Sequence, residues 1–356
     1  MEFFNQLSPG WQLTIVATIK VVCVMAVLLP MIAYSVMAER RVSALIQDRV
    51  GPNRVGPFGL LQPLADGLKS LLKEDFTPGH VHKLYFTLAP AIAMIPAFLT
   101  FAVIPFGSTM GSERMVIADL NVGVLYTFGI VSLSVYGIVL AGYASNSKYP
   151  FLGGIRSSAQ MISYEIAMGM AVIPVFMFVG SLNLSSIIEY QSGSLLNWLV
   201  FKSPMTLLSF CIFFVAVFAE TNRHPFDMPE CETELVAGYH SEYGSMRFAL
   251  FFLGEYAAMI AGSALLVTVF FGGWTLPFFG LDTPAQTLLG GILHIGIFLA
   301  KVGFFMIVMI WVRWMLPRFR YDQLMSLGWK RFLPLALVNI LVTAVWLFAT
   351  TEKSLP

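Results

Sequence analysis

Charged side chains are scarce in this sequence of 356 residues. Asp, Glu, Lys and Arg together make up 12% of it, whereas an ordinary soluble domain has roughly a quarter. Hydrophobic residues make up 57%. A core surrounded by water cannot absorb that excess of apolar side chains. The composition therefore excludes an ordinary soluble protein and predicts an integral membrane protein.

Signatures of several protein classes are missing as well. The three cysteines, Cys23, Cys211 and Cys231, form no CxxC pair, which argues against a disulfide framework and against a zinc or iron–sulfur site. The sequence has no Walker loop, GxGxxG segment, HExxH or nucleophile elbow, so no recognised motif binds a nucleotide or performs hydrolysis. The formal net charge of +1 argues against binding to nucleic acid. Any redox chemistry must be supplied by partner proteins.

Long apolar segments fill most of the sequence. A helix needs about 20 apolar residues to cross the ~30 Å hydrocarbon layer, where it must satisfy its own backbone hydrogen bonds. The sequence therefore predicts an all-α membrane protein with about eight transmembrane helices in a single domain over residues 1–356. The predicted helices, of which the fifth is the shortest, cover residues 11–37, 86–106, 119–143, 160–180, 204–219, 247–271, 290–312 and 332–350.

The positions of lysine and arginine predict the orientation. Four loops that share one side of the membrane contain seven, two, one and five of these residues, whereas the other side holds three. Positively charged loops remain in the cytoplasm. We therefore expect both termini on the periplasmic side of a bacterial inner membrane. The predicted cytoplasmic loops cover residues 38–85, 144–159, 220–246 and 313–331.

The first of these loops contains a helix of a second kind. At about 100° per residue, the leucines between Leu60 and Leu72 fall on one face, while Asp66 and Lys69 fall on the other. This pattern predicts an amphipathic helix that lies along the membrane interface. Arginines before it either hold the topology of the chain or line an entrance. They are Arg40, Arg41, Arg49 and Arg54.

Carboxylates are concentrated in the third cytoplasmic loop and in the helices beside it. The loop holds six acidic residues between Glu220 and Glu242, together with apolar residues such as Phe226. Glu165 and Glu255 lie inside predicted transmembrane helices. An ionisable group in that position is costly and by default indicates a proton or ion path. A solvated acidic loop and static ion pairing are the alternative interpretations.

Two long segments resemble those of a known family. GLLQPLADGLKSLLKE (59–74) and PFDMPECETELVAG (225–238) are similar to signature segments of the H subunit of proton-pumping NADH–quinone oxidoreductase, respiratory complex I, the counterpart of mitochondrial NADH dehydrogenase subunit 1. The similarity covers essentially the whole chain in order, and the motifs are highly specific. Further matching segments are ASNSKYPFLGGIRSSAQMISYE (144–165), AETNRHPFD (219–227), ALFFLGEY (249–256) and LPRFRYDQLM (316–325).

The resemblance implies three groups of site residues. The first group would line a quinone channel, the second would form an acidic funnel beside it, and the third would conduct protons into the membrane. The quinone-channel group is Glu39, Arg40, Arg49, Asp66 and Arg318. The acidic-funnel group is Arg223, Asp227, Glu230, Glu232 and Glu234. The proton-path group is Glu220, Glu165, Glu255 and Tyr256.

The resemblance also implies a reaction and partners. The chain would be a subunit of a proton-translocating NADH–quinone reductase, without a redox centre or a complete active site of its own. Ubiquinone or menaquinone would be the substrate, and flavin and iron–sulfur clusters would lie on partner subunits. The partners would be the hydrophilic redox arm and antiporter-like membrane subunits. The alternatives are the homologous membrane subunit of an energy-converting hydrogenase, an independent ion-coupled transporter, and a structural anchor.

Overall fold

The computed structural model of the protein describes residues 8–110, 113–230, 235–278 and 280–352. Its regular structure in these ranges is helical apart from one short antiparallel hairpin, β1 (Thr109–Met110) and β2 (Glu113–Arg114), which confirms the predicted fold class. A π-helical turn, Gly328–Phe332, joins the last two helices. The helices are α1 (Pro9–Ile46), α2 (Gln62–Leu72), α3 (Lys83–Thr100), α4 (Gly123–Val131), α5 (Leu133–Ala144), α6 (Lys148–Val179), α7 (Leu184–Tyr190), α8 (Leu199–Lys202), α9 (Pro204–Glu220), α10 (Ser245–Phe270), α11 (Leu288–Met315), α12 (Tyr321–Leu327) and α13 (Leu333–Glu352).

The long helices make this a multi-pass membrane protein. Seven helical segments in the described residues are long and apolar enough to cross a bilayer. An eighth apolar helix, α9, has 17 residues and corresponds to the predicted fifth and shortest segment. At 1.5 Å per residue, α9 extends roughly 25 Å, slightly less than the hydrocarbon layer. The prediction of about eight transmembrane helices therefore agrees with the structure.

Several helices extend beyond their predicted ends. The prediction ended the first helix at residue 37, but α1 continues to Ile46, so Glu39 and Arg40 belong to a helix and not to a loop. Similarly, α6 begins at Lys148, which leaves only residues 145–147 of the predicted loop 144–159 between helices. Hydropathy detects the apolar part of a helix, whereas a helix continues through polar residues until its hydrogen bonding is interrupted. The predicted ends of these two helices were wrong for this reason, whereas the cytoplasmic extent of the loops stays a prediction.

Helix α10 lies at the centre of the bundle. Helices α1, α3, α9 and α11 all pack against it. In the apolar window of α10, 67% of the residues are buried, compared with 11% in α1 and 17% in the segment that contains α13. A close approach at Gly137 holds α5 against α3, because a Cβ atom there would collide with the backbone of Ala93. The charged residues of α10 are therefore surrounded by other helices and not by lipid.

The predicted amphipathic helix is α2. No residue of α2 is buried, and its leucines are among the most exposed apolar side chains, with Leu64 at 62% and Leu71 at 63% exposure. An apolar face of this kind is typical of a helix that lies in the membrane interface. The structure thus places an apolar surface beside the C-terminal end of α1, which α2 contacts.

Lys301, inside α11, lies at the C-terminal end of α10. Its Nζ donates hydrogen bonds to the carbonyl oxygens of Phe271 at 2.7 Å, Gly273 at 3.0 Å and Thr275 at 2.7 Å. The same atom lies 4.4 Å from the centre of the Trp198 ring. Carbonyls at a helix C-terminus lack partners within the helix, and a cation is favourable there. The structure therefore gives Lys301 a static role as a helix cap.

We expect Lys301→Met to lower the thermal stability of the detergent-solubilised complex that contains this chain. The substitution leaves three backbone carbonyls without their donor, and hydrogen bonds to a charged group contribute roughly 1.5–3 kcal/mol each at most, so a total loss of about 3 kcal/mol is reasonable. Lys148→Met, at the exposed start of α6, is the matched control. Equal melting temperatures for the two variants would contradict the capping role.

Candidate functional site

Charged and polar side chains from several helices form one largely buried group, here called the ion cluster: Glu39, Arg223, Glu255, Tyr256 and Arg313. Arg223 Nη1 donates to both carboxylate oxygens of Glu39 at 3.1 Å, and its Nε lies 2.7 Å from Glu255 Oε1. The Tyr256 hydroxyl donates to Glu39 Oε2 at 2.6 Å, and Arg313 also pairs with Glu39. Four elements therefore meet at this cluster: α1, the loop after α9, α10 and α11.

Arg223 occupies the middle of the cluster. Its side chain is 9% exposed, and those of Glu39 and Glu255 are 8% and 17% exposed. The guanidinium carbon also lies 4.4 Å from the centre of the Tyr256 ring, within the range of a cation–π contact. Two carboxylates in an apolar surrounding would repel each other, so a planar guanidinium that contacts both is the group that stabilises them best.

Polar side chains of α6 hold the loop that presents Arg223. Gln160 Nε2 donates to the backbone oxygens of Ala219 at 2.7 Å and Phe226 at 2.8 Å, and to Asn222 Oδ1 at 3.1 Å. Asn222 in turn donates to the Ser157 hydroxyl at 2.7 Å. Buried backbone carbonyls need such donors, because an unpaired buried carbonyl is costly. The loop therefore has a defined conformation on both sides of Arg223.

Two further ion pairs lie nearer the surface of the protein. Arg40 Nη1 lies 2.6 Å from Asp66 Oδ2, which joins α1 to α2. Arg318 contacts Asp227 through two parallel bonds, Nε–Oδ1 at 2.6 Å and Nη2–Oδ2 at 2.8 Å. A bidentate pair of this geometry fixes the relative position of its two segments. Arg40 directly follows Glu39 on α1, so the first of these pairs adjoins the ion cluster.

The far end of α2 is fastened to α10. The Ser245 hydroxyl donates to the backbone oxygens of Ser70 at 3.1 Å and Lys73 at 2.7 Å. Arg247 lies 3.2 Å from Asp75. Because Arg40 and Asp66 connect the helix to α1, α2 is attached to the two helices from which Glu39 and Glu255 project.

A cavity of about 90 Å³, here called the inner cavity, adjoins the ion cluster. Its polar lining includes Glu220, Glu255 and Asn222, and its wall continues between α3, α5, α6, α9 and α10. Glu165 does not line the cavity, but Met161 and Met168, one turn before and after it on α6, do. The carboxylates of Glu165 and Glu220 are close enough to interact electrostatically.

The structure brings some predicted site residues together and separates others. Glu39, Arg223, Glu255 and Tyr256 share the ion cluster although the three predicted groups divided them. Arg318 and Asp227, also from different groups, form a pair. Arg49 lies apart at the surface, where its Nε donates to Gln47 at 2.8 Å. Within the predicted acidic funnel, the residues outside the described part are Glu232 and Glu234, together with the side chain of Glu230.

Arg313 and Gln160 were not singled out from the sequence. Arg313 follows a long apolar segment, and a cation in that position is usually a topology signal. Its contact with Glu39 joins residues 274 positions apart, which no local pattern indicates. Gln160 gave only a weak indication in the sequence: an amide at the start of an apolar segment needs hydrogen-bond partners once it is buried.

His240 lies in the loop between α9 and α10, within the described residues 235–244. Its ring contacts those of Tyr239, Phe248 and Phe252, with centroids 5.0, 5.3 and 6.5 Å away. Burial lowers the pKa of His240 to about 4, because the charged imidazolium loses its hydration. The folded protein therefore keeps this side chain neutral at physiological pH.

We expect His240 to make the folded protein less stable in acid. An unfolded chain binds a proton at His below about pH 6.5, and the folded state resists this down to about 4. The free energy of unfolding is thus unaffected above about pH 6.5. It falls as the pH decreases below that value, by about 2 kcal/mol at pH 5. His240→Phe should remove this part of the pH dependence in melting temperatures. His80→Gln, a half-exposed histidine, should leave it unchanged.

Removal of the central arginine should destabilise the assembled protein. In Arg223→Met, Glu255 loses its cationic partner, and the loss of one member of a buried pair costs roughly 3–5 kcal/mol. Arg223→Lys should be intermediate, because a single ammonium cannot contact both carboxylates with the same geometry. The control is Arg320→Met, whose exposed partner Asp322 is 3.7 Å away. Melting temperatures that do not differ between Arg223→Met and the control would exclude a stabilising role.

Comparison with known proteins identifies the family. A model of the NADH dehydrogenase family matches residues 19–344. The chain is 53% identical over 350 residues to the NADH-quinone oxidoreductase H subunit of Rickettsia prowazekii, with 98% of each chain covered. It is 48% identical over 333 residues to the NADH-quinone oxidoreductase H subunit 1 of Cytophaga hutchinsonii, covering 92% of this chain and 95% of the relative.

A third relative agrees with these two. The NADH-quinone oxidoreductase H subunit 2 of Koribacter versatilis is 47% identical over 347 residues, which covers 93% of this chain and 97% of the relative. The family match spans most of the chain, and each relative is matched over nearly its full length. The chain therefore belongs to the H-subunit family of NADH–quinone oxidoreductase, a family of membrane subunits of complex I.

Proposed function

We propose that the chain forms part of a quinone-access channel and a glutamate-lined proton path, and that it couples quinone reduction to proton pumping. The observation that supports this most directly is the ion cluster. It joins Glu39, beside the surface pair Arg40–Asp66, to Glu255, which lines the inner cavity. Through Arg223, a charge change at the surface has a continuous electrostatic connection to a carboxylate inside the membrane.

The quinone-access part of the proposal rests on α2 and its surroundings. The exposed leucine face of α2 suits a lipid-soluble ligand such as ubiquinone or menaquinone. The adjoining surface is rich in charge and includes residues that can orient a polar headgroup. These residues are Glu39, Arg40, Arg49, Asp66 and Arg318. The chain contributes no redox centre in this proposal; flavin and iron–sulfur clusters on partner subunits supply the electrons.

The proton path begins at the ion cluster. Glu255 and Tyr256 are neighbours on α10, and Glu220 faces the same cavity from α9. Quinone reduction adds electrons near the surface pairs, and the altered charge competes for the arginines that hold the carboxylates. When the contact between Arg223 and Glu255 weakens, Glu255 takes up a proton and passes it toward Glu220 and Glu165. Asp227, Glu230, Glu232 and Glu234 would collect protons from the cytoplasm for this path.

The proposed setting is a bacterial inner membrane with both termini in the periplasm and the whole chain as a single membrane domain. The excess of lysine and arginine in the loops of one side supports this orientation, since positively charged loops remain in the cytoplasm. The hydrophilic redox arm would contact the cytoplasmic loops. Antiporter-like membrane subunits would receive the coupling from the membrane face.

Other functions predict different measurements. The membrane subunit of an energy-converting hydrogenase would have no quinone, so inhibition of NADH oxidation by a rotenone-type inhibitor separates the two. The names of the relatives favour the quinone enzyme. An independent transporter would catalyse ion flux as a purified chain in liposomes. A purely structural anchor would tolerate replacement of Glu220 and Glu255 without a change in pumping.

Glu220→Gln in the assembled complex should abolish proton pumping linked to NADH oxidation. The substitution keeps the shape and hydrogen-bonding capacity of the side chain but removes its ability to bind and release a proton. Pumping is measured in membrane vesicles with a pH-sensitive dye, and electron transfer from NADH to an artificial acceptor verifies assembly. Glu189→Gln is the matched control, since that side chain is 58% exposed on the other side of the membrane. Normal pumping in Glu220→Gln would refute the proton path.

A further inference from the structure

The π-helical turn between α12 and α13 is fixed to α6 on one side. The Tyr164 hydroxyl donates to Leu324 O at 2.9 Å, and the Tyr164 ring contacts that of Phe332, with the centroids 6.2 Å apart. The Trp329 indole Nε1 donates to the Ser163 hydroxyl at 2.9 Å. Three different groups of the turn and of α12 thus contact α6, so the orientation of the turn on the bundle is defined.

The other side of this turn carries two cations, Lys330 and Arg331. Both are exposed, and neither has a hydrogen bond or an ion pair in the part of the chain that the structure describes. The acidic residue of α12, Asp322, lies 3.7 Å from Arg320 instead. Adjacent lysine and arginine side chains are well suited to phosphate, which a guanidinium can bind through two parallel hydrogen bonds. The turn therefore presents a surface that favours an anion from outside the chain.

An apolar stripe follows these cations along α13. Leu335, Val338, Val342 and Val345 come four, seven, eleven and fourteen positions after Arg331, which is the spacing of one helix face. Their exposed fractions lie between 43% and 70%. Other residues of α13 pack against α6 and α9. The stripe therefore faces away from the bundle, directly in line with Arg331.

The position of the turn along the chain indicates its depth in the membrane. The predicted apolar segment covers residues 332–350, so Trp329, Lys330 and Arg331 come immediately before it. The Trp329 side chain is 48% exposed although its indole N–H is bonded to Ser163. Tryptophan is enriched at the headgroup level of a bilayer, and lysine and arginine at that level attract anionic lipids. The polarity of this surface, cations first and an apolar stripe below, matches that of an anionic phospholipid.

We propose that Lys330 and Arg331 bind the phosphate of an anionic phospholipid, whose acyl chain lies along the apolar stripe of α13. A free anion would match the two cations but not the stripe below them. An acidic surface of a partner subunit would likewise leave the stripe without a ligand. None of these residues belongs to the ion cluster or lines the inner cavity, so the site is separate from the proposed proton path.

Photoactivatable lipids test the site in the assembled complex. The complex is reconstituted into phosphatidylcholine nanodiscs with a trace of phosphatidylglycerol or phosphatidylcholine that carries a diazirine on its acyl chain. Mass spectrometry then locates the cross-links. We expect the phosphatidylglycerol probe to label residues 329–345 at least about fivefold more than the phosphatidylcholine probe, because only its headgroup has a net negative charge for the two cations to attract.

Variants of the two cations should change this preference. Lys330→Gln/Arg331→Gln should bring the labelling by the two probes within about twofold of each other, whereas Lys330→Arg/Arg331→Lys, which keeps both charges, should retain the preference. Lys148→Gln, at an exposed cation at the start of α6, is the matched control and should also retain it. Electron transfer from NADH to ferricyanide verifies assembly. If the double variant does not assemble, Arg331→Gln alone should lower the preference at least about twofold.

The opposite results have distinct meanings. Equal labelling by the two probes in the parent complex would overturn the site, because the stripe would then contact bilayer lipid without selection. Absence of labelling at residues 329–345 with either probe would overturn it by showing that a partner subunit covers this face. A preference that persists in the double variant, or in Arg331→Gln where that one is used, would exclude the two cations as the headgroup ligands.

Discussion

The pairing of buried charges determines how α1, α9, α10 and α11 are assembled around the ion cluster. Transfer of an ion from water into an apolar interior costs several kcal/mol, which only a well-placed partner offsets. Arg223 meets this requirement for Glu39 and Glu255 at once, at distances of 3.1 and 2.7 Å. The loop after α9 must therefore reach between α1 and α10. The contacts of Gln160 with that loop fix the same arrangement from α6.

The polar interior is asymmetric along the membrane normal. On one side, carboxylates and arginines meet in the ion cluster and adjoin the inner cavity. On the opposite side, Lys301 donates hydrogen bonds to three backbone carbonyls, and the His294 ring is 2.7 Å from the Ser108 hydroxyl. Groups held by fixed backbone partners stabilise a structure. Groups that share carboxylates and arginines can exchange partners, which is the property that the proposed coupling requires.

The sequence predicted the helices, but not which side chains the candidate site residues contact. Apolar length and charge position determine the number and order of helices, since the bilayer imposes both. They did not indicate that α1 continues through Glu39, because a polar stretch without a helix breaker is compatible with either a loop or a helix. The pairs Arg313–Glu39 and Arg318–Asp227 depend on tertiary packing between distant segments. The grouping of Glu232 and Glu234 remains a prediction.

The attachment of α2 at both ends has a mechanical consequence. Asp66 ties the helix to α1, and Ser245 ties its other end to α10. A force on the leucine face of α2, from a change in bilayer thickness or from a hydrophobic molecule bound beneath it, is therefore transmitted to both α1 and α10. Since Glu39 belongs to α1 and Glu255 to α10, the distance between these two side chains becomes sensitive to the state of the surrounding lipid.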